Sequence, residues 1–347
     1  MKNFGFGLVV TFVCLLAAAL WGYRMDGLSG ILPALTLTAI LAVMEISLSF
    51  DNAVVNATVL RGMDPKWQQI FLTLGIFIAV FGMRLVFPIL IVSIASNETI
   101  WDITNLALSQ PEIYAAHLHS SHTAISAFGG TFLFLVFLSF LIDESKEVHW
   151  LSLIERKLTQ LHKIDSIKIL ISLILLFSLR AYLPVPASER ETLFFSGVVG
   201  LILFIAVEAL GNFFEAEEGE TSSASNLKRA GVAAFIYLEV LDASFSFDGV
   251  MGAMAVTRDI VLIMLGLAIG AAFIRSLTVF LVRKGTLEEY IYLEHGAHYA
   301  IGVLALIMFY SIYAPVPEIV TGLAGILFIA TSLASSIRHK NTASDNE

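Results

Sequence analysis

Long apolar runs alternate with short polar connections along the whole chain. Apolar runs of about 18–25 residues can cross the hydrocarbon core of a bilayer as α-helices. We identify ten, at residues 4–22, 34–59, 69–95, 124–142, 167–183, 193–214, 230–256, 259–282, 297–313 and 318–337. The pattern therefore predicts an all-α polytopic membrane protein with about ten transmembrane helices.

The polar connections differ in character. The longest, at 143–166, mixes both signs of charge and is expected to form a short interfacial helix. The segment 215–229 is acidic and rich in serine, which is typical of a mobile loop. A further connection is expected to be an outer loop, and it carries His117, His119 and His122.

Composition supports the membrane interpretation. Hydrophobic residues make up 57% of the chain and charged residues 14%, against about 25% charged in soluble proteins. The single cysteine, Cys14, excludes an internal disulfide and a thiolate metal site. The run 4–22 has some features of a signal peptide. Only Lys2 flanks it, however, and we expect a retained first helix.

The distribution of lysine and arginine gives an independent test of the helix count. With a cytoplasmic N-terminus, fourteen of these residues fall on cytoplasmic segments. Four fall on the outer side, namely Arg24, Arg180, Arg190 and Arg258. Because cytoplasmic loops carry an excess of positive charge, this census favours ten spans with both termini inside, in a membrane such as the bacterial inner membrane.

The chain also contains an internal repeat. Without gaps, "MEISLSFDN" (44–52) aligns with "LDASFSFDG" (241–249), and Arg61 aligns with Arg258. After a six-residue length difference, Arg84 aligns with Arg275. The repeat divides the chain into two five-helix halves, 1–185 and 186–347. Since five is odd, the second half enters the membrane from the opposite face. Such inverted repeats are typical of secondary transporters, which bind ions near the midplane between the halves.

The first acidic segment, which we define as residues 44–52, carries polar groups on two faces of its helix. At 100° per residue, Glu45, Ser49 and Asn52 share one face of the helix, and Ser47 and Asp51 lie on the other. A charge at the centre of a transmembrane helix costs roughly 2.5–3.5 kcal/mol on insertion scales. The helix is therefore expected to be enclosed by protein, or to be broken near residues 47–50 so that polar groups reach a cavity.

The second acidic segment repeats this arrangement with Glu239, Asp242 and Asp248. Five carboxylates in two related segments would repel one another in a low dielectric unless a cation lies among them or protons neutralise some of them. Carboxylate, amide and hydroxyl oxygens suit Mn²⁺, Ca²⁺ or Mg²⁺. Arg84 and Arg275 either pair with this cluster or extend to a helix end, and the sequence leaves both open.

These motifs resemble those of the TerC-type integral membrane proteins. "EISLSFDN" resembles their first signature and "EVLDASFSFD" (239–248) their second, while "YLEHGAHYAIG" (292–302) is most similar to a YkoY-like branch of unknown function. The resemblance implies links to tellurite resistance and manganese export. It assigns metal-site roles to Glu45, Asp51, Asn52, Glu239, Asp242 and Asp248. One departure is Gly249, where the family pattern usually has serine.

Taken together, these features favour a carrier that exports a divalent cation in exchange for protons. Mn²⁺ is the first candidate for this cation. The alternatives are a Ca²⁺/H⁺-type exchanger and a non-transporting scaffold in a stress-resistance complex. An intramembrane aspartyl protease is disfavoured, because Asp51 and Asp248 lack a Gly-x-Gly-Asp setting. We therefore expect no enzymatic activity and no prosthetic group. The expected partners are the lipid bilayer, the transported ion, and a second copy of the chain or other membrane stress-response proteins, but not nucleic acid.

Overall fold

The computed structural model describes residues 4–75, 77–96, 98–144, 146, 148–159, 166–216 and 224–344. These residues form helices and short connections, with no strand among them. The helices are α1 Gly5–Asp26, α2 Leu28–Leu48, α3 Phe50–Arg61, α4 Pro65–Ile70, α5 Phe87–Ser96, α6 Ile100–Ser109, α7 Pro111–Ser120, α8 His122–Ile142, α9 Ser152–Leu158, α10 Ile167–Tyr182, α11 Ala187–Ala216, α12 Ala224–Val256, α13 Ile260–Lys284, α14 Thr286–Glu289, α15 Leu293–Ser311 and α16 Glu318–Ser344. The protein is all-α, as predicted.

Each of the ten apolar runs coincides with one helix or with consecutive helices. Within the described residues, six helical stretches are long and apolar enough to cross a membrane, and they lie in α1, α2, α8, α11, α13 and α16. Large apolar side chains are exposed on the outside of the bundle, among them Phe12, Leu32 and Phe195. On a polytopic membrane protein such a surface is the one that faces lipid. The chain is therefore an integral membrane protein.

The first two helices form a tight hairpin. A single residue, Gly27, separates α1 from α2, and its φ of 67° is in the left-handed region that favours glycine. The two helices approach closely, because a Cβ atom at Gly22 would lie 2.3 Å from the carbonyl oxygen of Gly30. Small residues at such a crossing are typical of membrane helix pairs. The second helix thus begins at Leu28, before the predicted start at residue 34.

Two spans depart from regular α-helix. Ser49, with φ −104° and ψ 16°, separates α2 from α3, as the prediction of a break near residues 47–50 requires. Between α4 and α5 the chain forms two π-helical segments, Phe71–Gly75 and Ile78–Val86. π-helical turns are uncommon and occur frequently at functional sites. Both irregularities lie beside the acidic residues described below.

The two acidic segments run in opposite directions. Arg61, at the end of α3, pairs with Glu288 at 3.4 Å, just beyond the C-terminal end of α13. Arg258, which follows α12, directly precedes the N-terminal end of α13 and pairs with Glu112 of α7 at 2.8 Å. A helix of 25 residues is about 37 Å long at 1.5 Å per residue. The equivalent arginines of the repeat therefore lie at opposite ends of α13, as an inverted repeat predicts.

Both described ends of the chain lie on the side of the bundle where α13 ends. Phe4 packs against Phe280, with ring centroids 6.2 Å apart, and Lys340 pairs with Glu289 at 2.9 Å. The tip of the first hairpin lies at the other end, because Trp21 Nε1 donates to Asp259 Oδ2 at 2.8 Å. An even number of crossings, such as the predicted ten, brings both termini to one side in this way.

The connections contain more helix than the sequence pattern indicates. The predicted outer loop forms α6 and α7, and His122 begins α8. The short helix predicted within 143–166 is α9. The segment 215–229 was predicted as a mobile loop, but α11 continues to Ala216 and α12 begins at Ala224. Residues 217–223 lie outside the described part of the chain.

Candidate functional site

The break at Ser49 sorts the polar residues of the first acidic segment onto two sides. Ser49 Oγ donates to Glu45 Oε1 at 3.0 Å, and Asn52 lies on the same side, where its amide reaches α12. Asp51 points away from this group toward α16, since a Cβ atom at Gly325 would lie 3.5 Å from Asp51 Oδ2. The predicted separation of the two faces is confirmed. Asp51 is enclosed by protein rather than exposed to lipid.

Two buried arginines neutralise the acidic residues that meet between the halves. Arg84, on the second π-helical segment, forms an ion pair with Glu45 and lies 3.9 Å from Asp242. Arg275, on α13, lies 3.6 Å from Asp242 and 3.5 Å from Glu239. The sequence left open whether these arginines pair with the acidic residues, and the structure shows that they do. We call Glu45, Asn52, Glu239, Asp242, Arg84 and Arg275 the charged cluster.

The internal repeat extends to these contacts. Arg84 pairs with Glu45 within the first half, and their counterparts Arg275 and Asp242 pair within the second half. Two of the contacts between the halves meet at Asp242, because Asn52 Nδ2 donates to Asp242 Oδ1 at 2.8 Å and Arg84 also approaches Asp242. Asp242 is therefore the residue on which both halves converge.

Backbone geometry orients both guanidinium groups. Arg84 Nη1 donates to the carbonyl oxygen of Ala79 at 2.9 Å, within the π-helical segment. Arg275 Nη2 donates to the carbonyl oxygen of Gly75 at 3.3 Å, and its guanidinium carbon lies 3.7 Å from the centroid of the Phe71 ring. A guanidinium over an aromatic face is a favourable cation–π contact. Sequence reasoning missed Phe71, which lacks a counterpart in the aligned repeat motifs.

Glycines allow the helices to close around Glu45. A Cβ atom at Gly270 of α13 would lie 2.4 Å from Glu45 Cγ, and one at Gly249 of α12 would lie 2.6 Å from Glu45 Oε2. A serine at position 249, as in the TerC-type pattern, would therefore require Glu45 to move. The sequence leaves open whether Ser246 supplies the hydroxyl that Gly249 lacks, and the side chain of Ser246 lies outside the described part of the structure.

Several oxygen atoms of the charged cluster are buried without a hydrogen bond. They are Asn52 Oδ1, Asp242 Oδ2 and both carboxylate oxygens of Glu239. Ion pairs at 3.5 to 3.9 Å compensate the carboxylates only in part. A buried acceptor without a donor costs about 1–3 kcal/mol. These atoms are available to a donor or a cation that enters the cluster.

The predicted metal-site residues are brought together in part. Glu45, Asn52, Glu239 and Asp242 belong to the charged cluster, whereas Asp51 faces α16. The backbone of Asp248 lies on α12, but its side chain is outside the described part of the structure, as are those of Ser246 and Phe247. No group of three or more His, Cys, Asp or Glu side chains among the described residues is arranged to hold a metal ion. In this arrangement guanidinium groups lie among the carboxylates.

A second ionic cluster lies at the end of the bundle where α13 ends. Glu155 of α9 is fully buried and lies 3.7 Å from Lys146 Nζ and 3.5 Å from His295 Nε2. It accepts hydrogen bonds from Leu151 N at 2.9 Å and from the hydroxyl of Tyr299 at 3.1 Å. Burial raises the pKa of Glu155, but the nearby His295 and Lys146 and the hydrogen bond from Leu151 N outweigh burial and lower the pKa to about 2. These contacts attach α9 to α15.

Several polar residues outside the two clusters have local contacts. His298 stacks on Phe140 with ring centroids 3.9 Å apart, and His122 Nε2 lies 3.2 Å from Ser126 Oγ. Glu208 forms an ion pair with Lys168. His119 lines a surface cavity beside Arg258 and Glu112. None of these residues reaches the charged cluster.

Comparison with known proteins identifies a family without an assigned activity. Residues 50–343 match the family described as protein of unknown function DUF475. No curated protein and no solved structure matches the chain. The matched region covers most of the chain and includes α3, α12 and α13 from the charged cluster. The chain therefore belongs to the DUF475 family.

Proposed function

We propose that this protein is a membrane carrier that exports a divalent cation from the cytoplasm, with Mn²⁺ as the first candidate and protons as the exchanged ion. One observation carries the proposal. Acidic residues from equivalent segments of the two halves converge on one buried cluster, and each half supplies one arginine to neutralise it. A site of this kind between inverted repeats is typical of secondary transporters.

The arginines suggest how such a site works without a bound metal. Bringing carboxylates into a low-dielectric interior is costly unless opposite charges accompany them. Arg84 and Arg275 supply these charges in the present arrangement. A divalent cation would replace them at Glu45 and Asp242 only if the guanidinium groups move away, which couples cation entry to a change in helix packing. Asn52 Oδ1 and Asp242 Oδ2 are the oxygen atoms already free to contact the cation.

The donor atoms set the class of ion. Glu45, Asn52 and Asp242 offer oxygen alone, and hard divalent cations such as Mn²⁺, Ca²⁺ and Mg²⁺ prefer oxygen ligands. The resemblance to TerC-type proteins at both acidic motifs favours Mn²⁺ over Ca²⁺. The excess of Lys and Arg on segments at the end shared by both termini supports a cytoplasmic location for that end, in a membrane such as the bacterial inner membrane.

Flux measurements on purified protein in liposomes test the proposal. Wild-type protein should accelerate Mn²⁺ movement across the vesicle membrane, and Glu45→Gln and Asp242→Asn should each abolish it. Glu208→Gln is a matched control, because Glu208 is also a carboxylate on a membrane helix but lies outside the charged cluster. The same vesicles assayed with Ca²⁺ distinguish the Ca²⁺/H⁺-type exchanger. The proposal would be contradicted if Glu208→Gln lost metal flux while Glu45→Gln and Asp242→Asn retained it.

A scaffold role is the second candidate, and one observation favours it. The ion pairs of Arg84 and Arg275 neutralise most of the cluster without a metal, as a purely structural network would. A scaffold would show no metal flux in liposomes. It would still lose stability when either arginine is replaced. Measuring flux and unfolding on the same variants separates the two functions.

A further inference from the structure

The short helix α6 has three chemically different faces. Ile103 and Ala107 are buried against the rest of the protein, whereas Ile100, Trp101 and Leu108 are 50%, 78% and 65% exposed. At 100° per residue, these three exposed apolar residues lie within an arc of about 100°. The remaining face is polar and carries Asp102, Asn105 and Ser109. A helix with an exposed apolar face beside a polar face is typical of the membrane–water interface, where tryptophan is enriched.

Other contacts place α6 at the interface opposite to both termini. A single residue, Gln110, separates α6 from α7, and Glu112 of α7 pairs with Arg258, directly before α13. Trp21 donates to Asp259, which caps the N-terminal end of α13. Charged residues and tryptophan at one level mark the boundary between lipid and water. The hairpin of α6 and α7 therefore lies at this boundary.

An apolar cavity of about 180 Å³ extends from this boundary into the bundle. Its inner wall includes Met254 of α12 and Ile263 of α13, which are both buried. Thr104 and Leu108 of α6 and Val261 of α13 also line the cavity, and these residues are partly or fully exposed. The cavity, which we call the α6 cavity, therefore opens to the surface between α6 and α13.

The opening of the α6 cavity lies on the lipid-facing side of α6. Thr104 and Leu108 fall within the same arc of the helix as Ile100 and Trp101. Thr104 Oγ1 donates to the carbonyl oxygen of Ile100 at 2.7 Å, so this hydroxyl is already bonded within the helix. The lining residues of α13 lie in its first five residues, which span about 6 Å at 1.5 Å per residue. The opening is thus continuous with the apolar surface of the bundle and lies within one leaflet of a hydrocarbon core about 30 Å thick.

Volume and lining together favour a hydrocarbon as the occupant. An apolar cavity of about 150 Å³ stays dry and binds benzene, so the α6 cavity has room for a hydrocarbon segment of similar size. An empty cavity leaves the atoms that line it without dispersion contacts. Arg84 is the charged residue in the described lining, and its Nη1 and Nη2 atoms are already engaged with Ala79 and Glu45. An acyl chain therefore fits this cavity better than water or an ion.

We propose that the α6 cavity binds a segment of a phospholipid acyl chain from the leaflet opposite to both termini. The chain enters between α6 and α13 and fills the space in front of the buried residues of α12. A bound chain would hold α6 against α13 by contacting both helices. The proposal rests on the surface of α6 and on the cavity, and it does not depend on the transport function proposed above.

Photolabelling of the wild-type protein in liposomes tests the proposal. The liposomes contain a phospholipid with a diazirine group within one acyl chain. Light expels N₂ from the diazirine, and the resulting carbene inserts into a neighbouring C–H bond. Mass spectrometry should locate adducts on Met254 and Ile263, which are buried but line the cavity. Leu262 is 5% exposed and is not among the described lining residues, so it should remain unlabelled. Adducts confined to exposed residues would overturn the proposal.

Two variants test whether labelling passes through the cavity. Ala107→Phe fills the space from the buried side of α6, and Thr104→Trp covers the opening at a partly exposed position where folding tolerates a larger side chain. Both should abolish the adduct on Ile263. Ala116→Phe is the matched control, because Ala116 is exposed on α7 and is not among the residues that line the α6 cavity. Wild-type labelling of Ile263 in a folded Thr104→Trp variant would refute entry by this route.

A free fatty acid with the same diazirine distinguishes the source of the chain. At equal concentration in the membrane, the phospholipid should label Ile263 at least as strongly as the fatty acid does. Labelling of Ile263 by the fatty acid alone would assign the cavity to a different ligand and would overturn the proposal for a phospholipid.

Discussion

At the scale of single residues, the charged cluster depends on arginines that have almost no contact with solvent. Arg84 is 5% exposed and Arg275 is 2% exposed. Removing one partner of a buried ion pair leaves an uncompensated charge, whereas replacing both by apolar groups is often tolerated. Single and double replacements at the same pair therefore differ in their effect.

We expect Arg84→Met to lower the free energy of unfolding by about 3–5 kcal/mol, because Glu45 is left buried without its counter-charge. The double variant Arg84→Met with Glu45→Met should recover most of this loss. Thermal unfolding in detergent measures both. Arg61→Met is the control, since the Arg61–Glu288 pair is exposed and such pairs contribute about 0–1 kcal/mol. Equal losses for Arg84→Met and Arg61→Met would argue against a buried pair.

Asp51 and Asp248 occupy matched positions in the repeat. Asp51 faces α16 rather than the charged cluster, so its replacement tests whether the cation also passes this position. On the proposed function we expect Asp51→Asn and Asp248→Asn each to abolish metal transport, because the amide keeps the size of the side chain but removes a negative charge. Membrane insertion should be retained, since the cost of burying a charge falls. Flux in liposomes and the yield of inserted protein provide the measurements. Wild-type flux in either variant would exclude that residue from transport.

The sequence predicted these residues better than it predicted their partners. Glu45, Asp51, Asn52, Glu239 and Asp242 stand out because charge and amide groups are rare in apolar runs. Spacing on a helix also separated Asp51 from Glu45. Which carboxylate meets which guanidinium depends on how the helices cross, and spacing along one helix does not contain that information.

At the scale of helices, close approach is achieved by glycines at specific crossings. We expect Gly270→Ala to destabilise the protein and reduce transport, because the new Cβ atom would overlap Glu45. Gly62→Ala is the matched control. Gly62 has a φ of −78°, and a Cβ atom there would meet an atom at 3.6 Å, which is ordinary contact. Unfolding temperatures of both variants report the difference, and a harmless Gly270→Ala would show that Glu45 can move.

The attachment of α9 should depend on pH through Glu155. A carboxylate whose pKa is lowered on folding stabilises the folded state above its ordinary pKa of about 4.3 and loses this effect as the pH falls. With a pKa of about 2, the attachment should weaken progressively between about pH 4.3 and pH 2. Proteolysis of the segment 143–166 at graded pH measures this. Glu155→Gln should give rapid cleavage already at neutral pH, and cleavage as slow as in the wild type would refute the attachment.

Irregular elements were only partly predictable. Polar groups on both faces of the first acidic segment indicated either enclosure by protein or a break near residues 47–50, because a lipid-facing helix cannot carry them. The π-helical segments had no comparable signal, since their apolar residues also fit an α-helix. Helices α6 and α7 were missed because their polar and apolar residues do not form a run long enough to cross a membrane.

At the scale of the whole molecule, the proposed transport depends on the opposite directions of the two acidic segments, because alternating access in secondary transporters uses inverted repeats. Lys66, near the end of the first acidic span, should face the cytoplasm, and Arg258 should face the outside. Single cysteines at these positions, in a Cys14→Ala background, can be labelled in intact cells with a membrane-impermeant maleimide. We expect labelling at 258 and none at 66 until the cells are opened. Equal accessibility at both positions would contradict the inverted repeat.

The hairpin of α1 and α2 constrains how the protein enters the membrane during synthesis. A turn that consists of Gly27 alone is too short for α1 to insert into the bilayer by itself while α2 is still being synthesised. The two helices are expected to leave the insertion machinery together, carrying Arg24 and Asp26 across at the tip. Biogenesis of the chain would then begin with a paired unit, on which α13 later assembles through the contact between Trp21 and Asp259.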